Sequence, residues 1–314
     1  MSEATTIHDL IIIGGGPGGY TAGIYAKRAA MDTLLIEKGV PGGQLNNTDE
    51  VENWPGTVKI SGADLALRFA EHAATYGLET LNREVVALEP GLSHHTVRLD
   101  NGEQLKALTV ILGTGGSPRK LGVKGEEKNH GRGVSYCAVC DGFFFRGKTV
   151  VVVGGGDSAL EEALYLAKLA KKVYIAHRRD AFRAGMILQE RVLGEQRIEV
   201  LWNTVISEIL ADESGVTGVR TENTVSKEQK DLAVDGVFIF IGFEPNNALV
   251  PAGTRMNANG YVVTDEKCET NHAGIFAIGD LKEKYCKQII TAAADGCTAA
   301  LAAAHYVENK KSAQ

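Results

Sequence analysis

Apolar residues along this chain cluster in short unbroken runs, and each run ends on glycine. Leu10-Ile11-Ile12-Ile13 leads into Gly14-Gly15-Gly16-Pro17-Gly18-Gly19, and residues 149–153 lead into Gly154-Gly155-Gly156-Asp157-Ser158-Ala159. Residues 109–112 lead into Gly113-Thr114-Gly115-Gly116, and residues 237–241 into Gly242. Apolar runs of this length bounded by turn residues predict strands buried on both faces, as in a parallel sheet. After the first two runs the pattern predicts a helix, over residues 20–30 and from the second motif through Ala170. A second strand follows each time, at residues 33–36 and 172–176, and a last helix covers residues 288–304. Strand, glycine turn, helix and strand in that order predict an α/β protein with two Rossmann-like dinucleotide-binding domains.

The two segments share more than their order. Both carry the GxGxxG type of spacing, with Gly14, Gly16 and Gly19 in the first and Gly154, Gly156 and Ala159 in the second. In such a turn the first glycine allows the tight bend and the second lets the backbone approach a pyrophosphate. The third small residue lets helix and strand pack, and the pyrophosphate rests on the helix N-terminus. Pro17 lies within the first turn, and Asp157 and Ser158 lie within the second. Glu37 follows Gly14 by 23 positions, and His177 follows Gly154 by the same 23, so the two hold equivalent places. A carboxylate there hydrogen-bonds a free ribose and repels a 2′-phosphate, so the first site fits the adenosine of FAD. The second site reads His177-Arg178-Arg179, with Arg183 four residues on. Guanidiniums bind a dianionic phosphate bidentately, so this site fits NADPH. Two dinucleotides on one chain predict electron relay, a flavin taking a hydride from nicotinamide and passing electrons onward.

Composition narrows the setting. The length of 314 residues fits two domains, possible cores are ample at 44% apolar residues, and the formal net charge of -6 weighs against nucleic acid or an anionic membrane as partner. The 37 glycines serve turns and close approaches, since the sequence is not of low complexity. No apolar run reaches membrane-span length, and residues 1–9 lack the pattern of a signal peptide, so a cytoplasmic enzyme is expected.

Of five cysteines, only Cys137 and Cys140 are close. Two cysteines with two residues between them form a small disulfide ring suited to cycling in a reducing compartment. Asp141 adjoins the pair and could move a proton to or from a leaving sulfur. The rival readings are a zinc half-site, which lacks a second ligand pair, and two inert thiols. No metal is expected, and Cys268, Cys286 and Cys297 read as isolated small side chains.

Taken together, Cys137-Ala-Val-Cys140-Asp141-Gly-Phe-Phe-Phe-Arg146, Gly154-Gly-Gly-Asp-Ser-Ala-Leu-Glu-Glu162 and His177-Arg-Arg-Asp-Ala-Phe-Arg183 resemble the low-molecular-weight, bacterial-type thioredoxin reductases. Gly42-Gly43-Gln44-Leu45, residues 50–56, and Thr270 with Ala277-Ile278-Gly279-Asp280 resemble the family's flavin-contacting segments. The resemblance covers residues 8–307. It implies an NADPH-dependent flavoprotein that reduces thioredoxin through Cys137 and Cys140, works as a homodimer, and inserts its NADPH domain into the FAD domain. The FAD domain would comprise residues 1–116 and 245–314, and the NADPH domain residues 117–244. The crossings at Gly115-Gly116-Ser117-Pro118 and Gly242-Phe243-Glu244-Pro245 would let the NADPH domain swing.

Residue by residue, Cys140 would face the flavin, Cys137 would attack thioredoxin and Asp141 would be the general acid. Lys38, Gly43, Gln44, Asn53, Thr114 and Gly115 would join the flavin site, with Gly279, Asp280, Lys287, Gln288 and Ile289 from the C-terminal part. Glu161 would lie near the nicotinamide, and Ile241 and Gly242 also on the NADPH side. The chain departs from the usual family pattern at Asp157, Phe243, Cys286 and Lys287. A related NADPH flavoenzyme acting on a glutaredoxin-like or peroxiredoxin-linked partner is the alternative reading. Ferredoxin-driven reduction, whose enzymes lack the nicotinamide fingerprints found here, and a non-catalytic FAD- or metal-binding module are further rivals.

Overall fold

The computed structural model describes residues 7–47 and 51–312. The chain forms two compact units, one built from the residues up to Ser117 together with those from Glu244 onward, the other from Pro118–Phe243.

The first unit is organised on strand Ile7–Ile13. It pairs in parallel with Thr33–Glu37 on one side and Gln104–Leu112 on the other, and Glu79–Asn82 extends the sheet beyond Thr33–Glu37. The far edge of Gln104–Leu112 takes antiparallel His95–Leu99 along its first half and parallel Ile275–Ala277 along its last three residues. Successive side chains of a strand point to opposite faces. Leu10 and Ile12 therefore join the core with helices Pro17–Arg28 and Ile289–Ser312, while Ile11 and Ile13 pack with Val97, Leu99, Val262 and Leu281. Both faces are covered, which is why this strand reads as an unbroken apolar run. Each fully buried Leu or Ile side chain there stabilises the fold by roughly 1.5–3 kcal/mol.

The second unit repeats the plan. Its five parallel strands stand in the order Ile198–Leu201, Lys172–Ala176, Thr149–Gly154, Gly236–Phe240 and Val134–Ser135. The pairing Leu10 with Thr33 recurs as Val150 with Val173, and Ile13 with Ile36 recurs as Val153 with Ala176. Register as well as order is therefore shared between the two copies. An antiparallel sheet of Thr204–Asp212, Gly215–Asn223 and Gln229–Ala233 completes this unit.

Helix boundaries differ from the sequence expectation at both ends of the first helix, which stops at Arg28, and elsewhere. The first helix begins at Pro17, because the last glycines of the turn are already helical. The helix Asp157–Ala167 stops short of Ala170, where the N–H groups of Leu169 and Ala170 turn back to the Leu166 carbonyl. The C-terminal helix runs on to Ser312. The crossings Gly116–Pro118 and Phe243–Pro245 pair as a two-stranded ribbon flanked by Gly115 (φ +67) and Gly242 (φ +131). No helix among the described residues is long and apolar enough to cross a membrane.

Candidate active site

The first glycine turn is built as its spacing requires. Gly14 has φ +108, and a Cβ there would meet the Gly113 carbonyl oxygen at 2.3 Å. Gly19 lies inside the helix, and a Cβ on it would come within 1.9 Å of the Gly14 carbonyl oxygen. Only glycine lets the helix settle so close to the strand end. A Cβ on Gly16 would meet nothing within 4 Å. That is the open side of the turn, beside Pro17 at the helix N-terminus, the kind of place that accepts a pyrophosphate. In the second unit Gly154 is likewise crowded, by the Phe240 carbonyl, and Gly156 is likewise open. Ala159 is fully buried and Ser158 exposed, and Asp157 Oδ1 accepts the Gly185 N–H at 2.8 Å, which fixes the start of helix Met186–Gly194.

The equivalence of Glu37 and His177 is realised in space, since both side chains turn onto the middle glycine of their motif. Glu37 Oε2 accepts the Gly15 N–H at 2.6 Å and Oε1 accepts the Gly39 N–H at 2.8 Å. The His177 ring is buried, and a Cβ on Gly155 would lie 2.1 Å from its Nδ1. Its Nε2 lies 2.9 Å from the Ala181 carbonyl oxygen. Burial above all, with the Arg183 and Arg179 charges adding to it, lowers the imidazole below its usual range against the Ala181 and Gly154 backbone contacts. Burial thus favours the neutral ring, which packs into the turn. Arg178, Arg179 and Arg183 are exposed, and no guanidinium of the three has an ion pair or hydrogen bond among the described residues. The Arg183 N–H donates to the Gly155 carbonyl at 2.8 Å and holds this loop against the turn.

The remaining residues expected on the flavin side lie in the first unit. Gly43 opens a short 3-10 turn, Gly43–Asn47, and Gln44 Nε2 donates to the Gly116 carbonyl at 3.1 Å. Asn53 Nδ2 donates to Gln288 Oε1 at 3.2 Å, next to Ile289 at the head of the C-terminal helix. Thr114 Oγ1 donates to the Asn246 carbonyl at 2.7 Å, beside Gly115. Lys38 pairs with Glu84 at 3.0 Å, and Lys287 lies over the Tyr261 ring, 4.4 Å from its centroid. The Gly279 N–H donates to Asp295 Oδ2 at 2.9 Å. Burial pushes the adjacent Asp280 carboxyl up, against the pull of Lys284 and Lys287, and it has no hydrogen-bond partner among the described residues. An enclosed carboxyl that lacks a donor suits a ribityl hydroxyl. With Glu37 and the open face of Gly16, these residues fit FAD. Glu50, at the start of one flavin-side segment, lies outside the described residues.

Cys137 and Cys140 are joined in a disulfide, with Cα atoms 5.3 Å apart, and both are half-buried. The Cys140 N–H donates to Cys137 Sγ at 3.2 Å. On reduction, an amide so placed favours the thiolate on Cys137. The Asp141 N–H donates to the Cys137 carbonyl at 3.1 Å, and its Oδ2 lies 2.5 Å from Ser135 Oγ. Beside the pair, Val139 and Phe143 are exposed, and the Arg146 guanidinium sits 5.5 Å from the Phe143 ring centroid. Glu161 is exposed on the helix that starts at Asp157, and Ile241 and Gly242 follow strand Gly236–Phe240. Cys268 is buried, Cys286 exposed and Cys297 half-buried.

Residues 8–296 match the profile of the pyridine nucleotide-disulphide oxidoreductases. The chain belongs to this family. Within it, the chain is 46% identical over 314 residues to a thioredoxin reductase of Listeria innocua, covering all of this chain and 98% of that one. It is 46% identical to a thioredoxin reductase of Bacillus subtilis, covering 98% of this chain and 97% of that one. The crystal structure of a thioredoxin reductase from Streptococcus pyogenes superposes with a TM-score of 0.94 at 42% identity, covering 98% of this chain and 100% of that one. Thioredoxin reductases of this family contain FAD and depend on NADPH.

Sequence reading missed several residues that the fold brings to the disulfide. Ser135 ends a buried strand two residues before Cys137. Glu162 Oε2 is buried without a hydrogen-bond partner, in the helix packed against residues 138–141. Glu126 takes the N–H groups of Leu121 and Gly122 and the Tyr136 hydroxyl, and so ties the segment after the first crossing to the residue before Cys137. A signal existed for Glu162. It stands three residues after Ala159 and four before Leu166, both fully buried, so helical spacing turns it toward the core.

Proposed function

We propose that this chain reduces oxidised thioredoxin with electrons from NADPH, relayed through FAD and the Cys137–Cys140 disulfide. The observation that carries the reading is the Cys137–Cys140 bond in the same unit as the arginine-flanked glycine turn. The first unit is the FAD domain and the second the NADPH domain. Bound FAD supplies the hydride acceptor and the electron donor to the disulfide. The chain's own residues do the rest. Glu37 and Asp280 hold the ribose and ribityl hydroxyls of the flavin nucleotide, and Arg178, Arg179 and Arg183 bind the NADPH 2′-phosphate.

In thiol exchange, the Cys137 thiolate displaces one sulfur of the substrate disulfide, and the displaced sulfur takes a proton from Asp141. Cys140 then gives its proton to Asp141, attacks Cys137, re-forms the Cys137–Cys140 bond and releases the second substrate sulfur as thiolate. Exposed Val139, Phe143 and Arg146 give the protein substrate an apolar and cationic seat beside the sulfurs. The disulfide and the nicotinamide ride on one unit and the flavin on the other, so each must meet the flavin in turn, with the two crossings as the turning points. The same reading makes the enzyme a cytoplasmic homodimer. NADPH oxidation measured against a panel of thioredoxin-like and glutaredoxin-like proteins tests it. Turnover with thioredoxin is expected, and turnover only with another partner would favour the alternative.

A further inference from the structure

Ser135 carries more contacts than a strand-end serine needs. Its backbone is fixed by parallel pairing with Phe238, and the residue is 3% exposed. The hydroxyl oxygen lies 2.5 Å from Asp141 Oδ2, 3.1 Å from the Cys137 nitrogen and 3.2 Å from the Cys137 carbonyl oxygen. Asp141 is therefore referenced to the Cys137 peptide groups twice, through its own N–H and through this hydroxyl.

We propose that Ser135 is a positioning residue for the reaction at Cys137, holding the Asp141 carboxyl in place in both of its protonation states. A serine hydroxyl has one proton to give and two lone pairs. With Asp141 ionised, Ser135 donates to Oδ2 and accepts the Cys137 N–H. With Asp141 protonated, the carboxyl donates to Ser135 Oγ, and the serine proton turns to the Cys137 carbonyl. The Cys137 N–H is accepted throughout, and no buried hydroxyl is left without an acceptor in either state. Leaving such a group unmatched is what makes buried polar residues costly. An acid that gives and regains a proton in each turnover gains from a partner that serves both states. No titration moves the hydroxyl itself, so the switch is only a rotation about the Ser135 C–O bond.

The proposal rests on the reading of Asp141 as the proton carrier, and the test separates the two. Ser135→Ala, Ser135→Thr, Asp141→Asn and the Ser135→Ala/Asp141→Asn double variant are compared as FAD-loaded enzymes. Rates are taken per bound flavin, so a variant that folds less well does not imitate a slower step. Ser135→Ala should lower kcat for thioredoxin reduction about tenfold, a share of what general acid catalysis supplies. NADPH-driven flavin reduction and the KM for NADPH should stay within about twofold of the parent. Ser135→Thr, which keeps the hydroxyl, should recover most of the loss. In the Asp141→Asn background, Ser135→Ala should cost little more, because two residues acting as one unit are not additive. A loss in Asp141→Asn with an equal further tenfold loss in the double variant would overturn the positioning role alone. Parental turnover in Asp141→Asn would remove the proton-carrier reading and this proposal with it.

Discussion

Replacing Glu162 with Gln should make the protein's stability respond differently to pH. Burial, with the Glu161 charge adding to it, pushes the Glu162 carboxyl from 4.5 up to about 7, although the Ala138 amide beside it favours the charged form. A carboxyl whose folded value is raised binds its proton more tightly in the folded chain. Its stabilising contribution is full below 4.5 and is lost as pH rises through about 7. The gap between those values corresponds to roughly 3 kcal/mol at most. The side chain is only half-buried, so solvent screening reduces this to about 1–2 kcal/mol. Gln cannot ionise and fills the same volume. The stability difference between Glu162→Gln and the parent should therefore shift in favour of the variant by about 1–2 kcal/mol between pH 5 and pH 8.5. That corresponds to about 2–4 °C in Tm. Thermal unfolding of both proteins across that range, with flavin content matched, reads the difference directly. Parallel pH profiles for the two proteins would refute the reasoning.

Two further outcomes are expected. Parent enzyme should prefer NADPH over NADH at least about tenfold, since one charge-assisted contact contributes ~1.5–3 kcal/mol. Arg178→Ala/Arg179→Ala should cut that preference sharply, down to what Arg183 alone supplies, through the KM for NADPH, and equal kinetics with both nucleotides in the parent would contradict the site. Burial first, then the Lys310 and His94 charges, lowers His95 to about 4, so its neutral form is favoured in the fold. The stability it contributes is present above 6.5 and is lost as pH falls toward 4. His95→Gln should show a shallower acid loss in thermal unfolding, and an unchanged acid limb would count against it.

Much of the architecture could be read from local pattern. The unbroken apolar runs marked strands covered on both faces, and the glycine spacings marked where each strand turns into its helix. The matched places of Glu37 and His177 pointed to two copies of one unit, and the copies proved to share strand register. What the sequence could not show was which way a side chain points. His177 looks like part of a cationic cluster. The missing side chain of Gly155 leaves room for its ring, which folds inward, where burial favours its neutral form. Nor could spacing foresee contacts made across the chain, such as Asn53 with Gln288, because they form only when the C-terminal segment returns to the first unit. Ser135 escaped notice for a related reason. A lone serine carries no pattern, and its role rests on the short helix bringing Asp141 back over it.

The electron relay is tested most directly by anaerobic spectroscopy of the purified protein. The purified protein should be yellow, with flavin absorption bleached by NADPH and restored when oxidised thioredoxin is added. Cys137→Ser and Cys140→Ser should bleach as the parent does and remain bleached on adding thioredoxin. Recovery of colour in either variant at the parental rate, or a parent protein that binds no flavin, would contradict the relay.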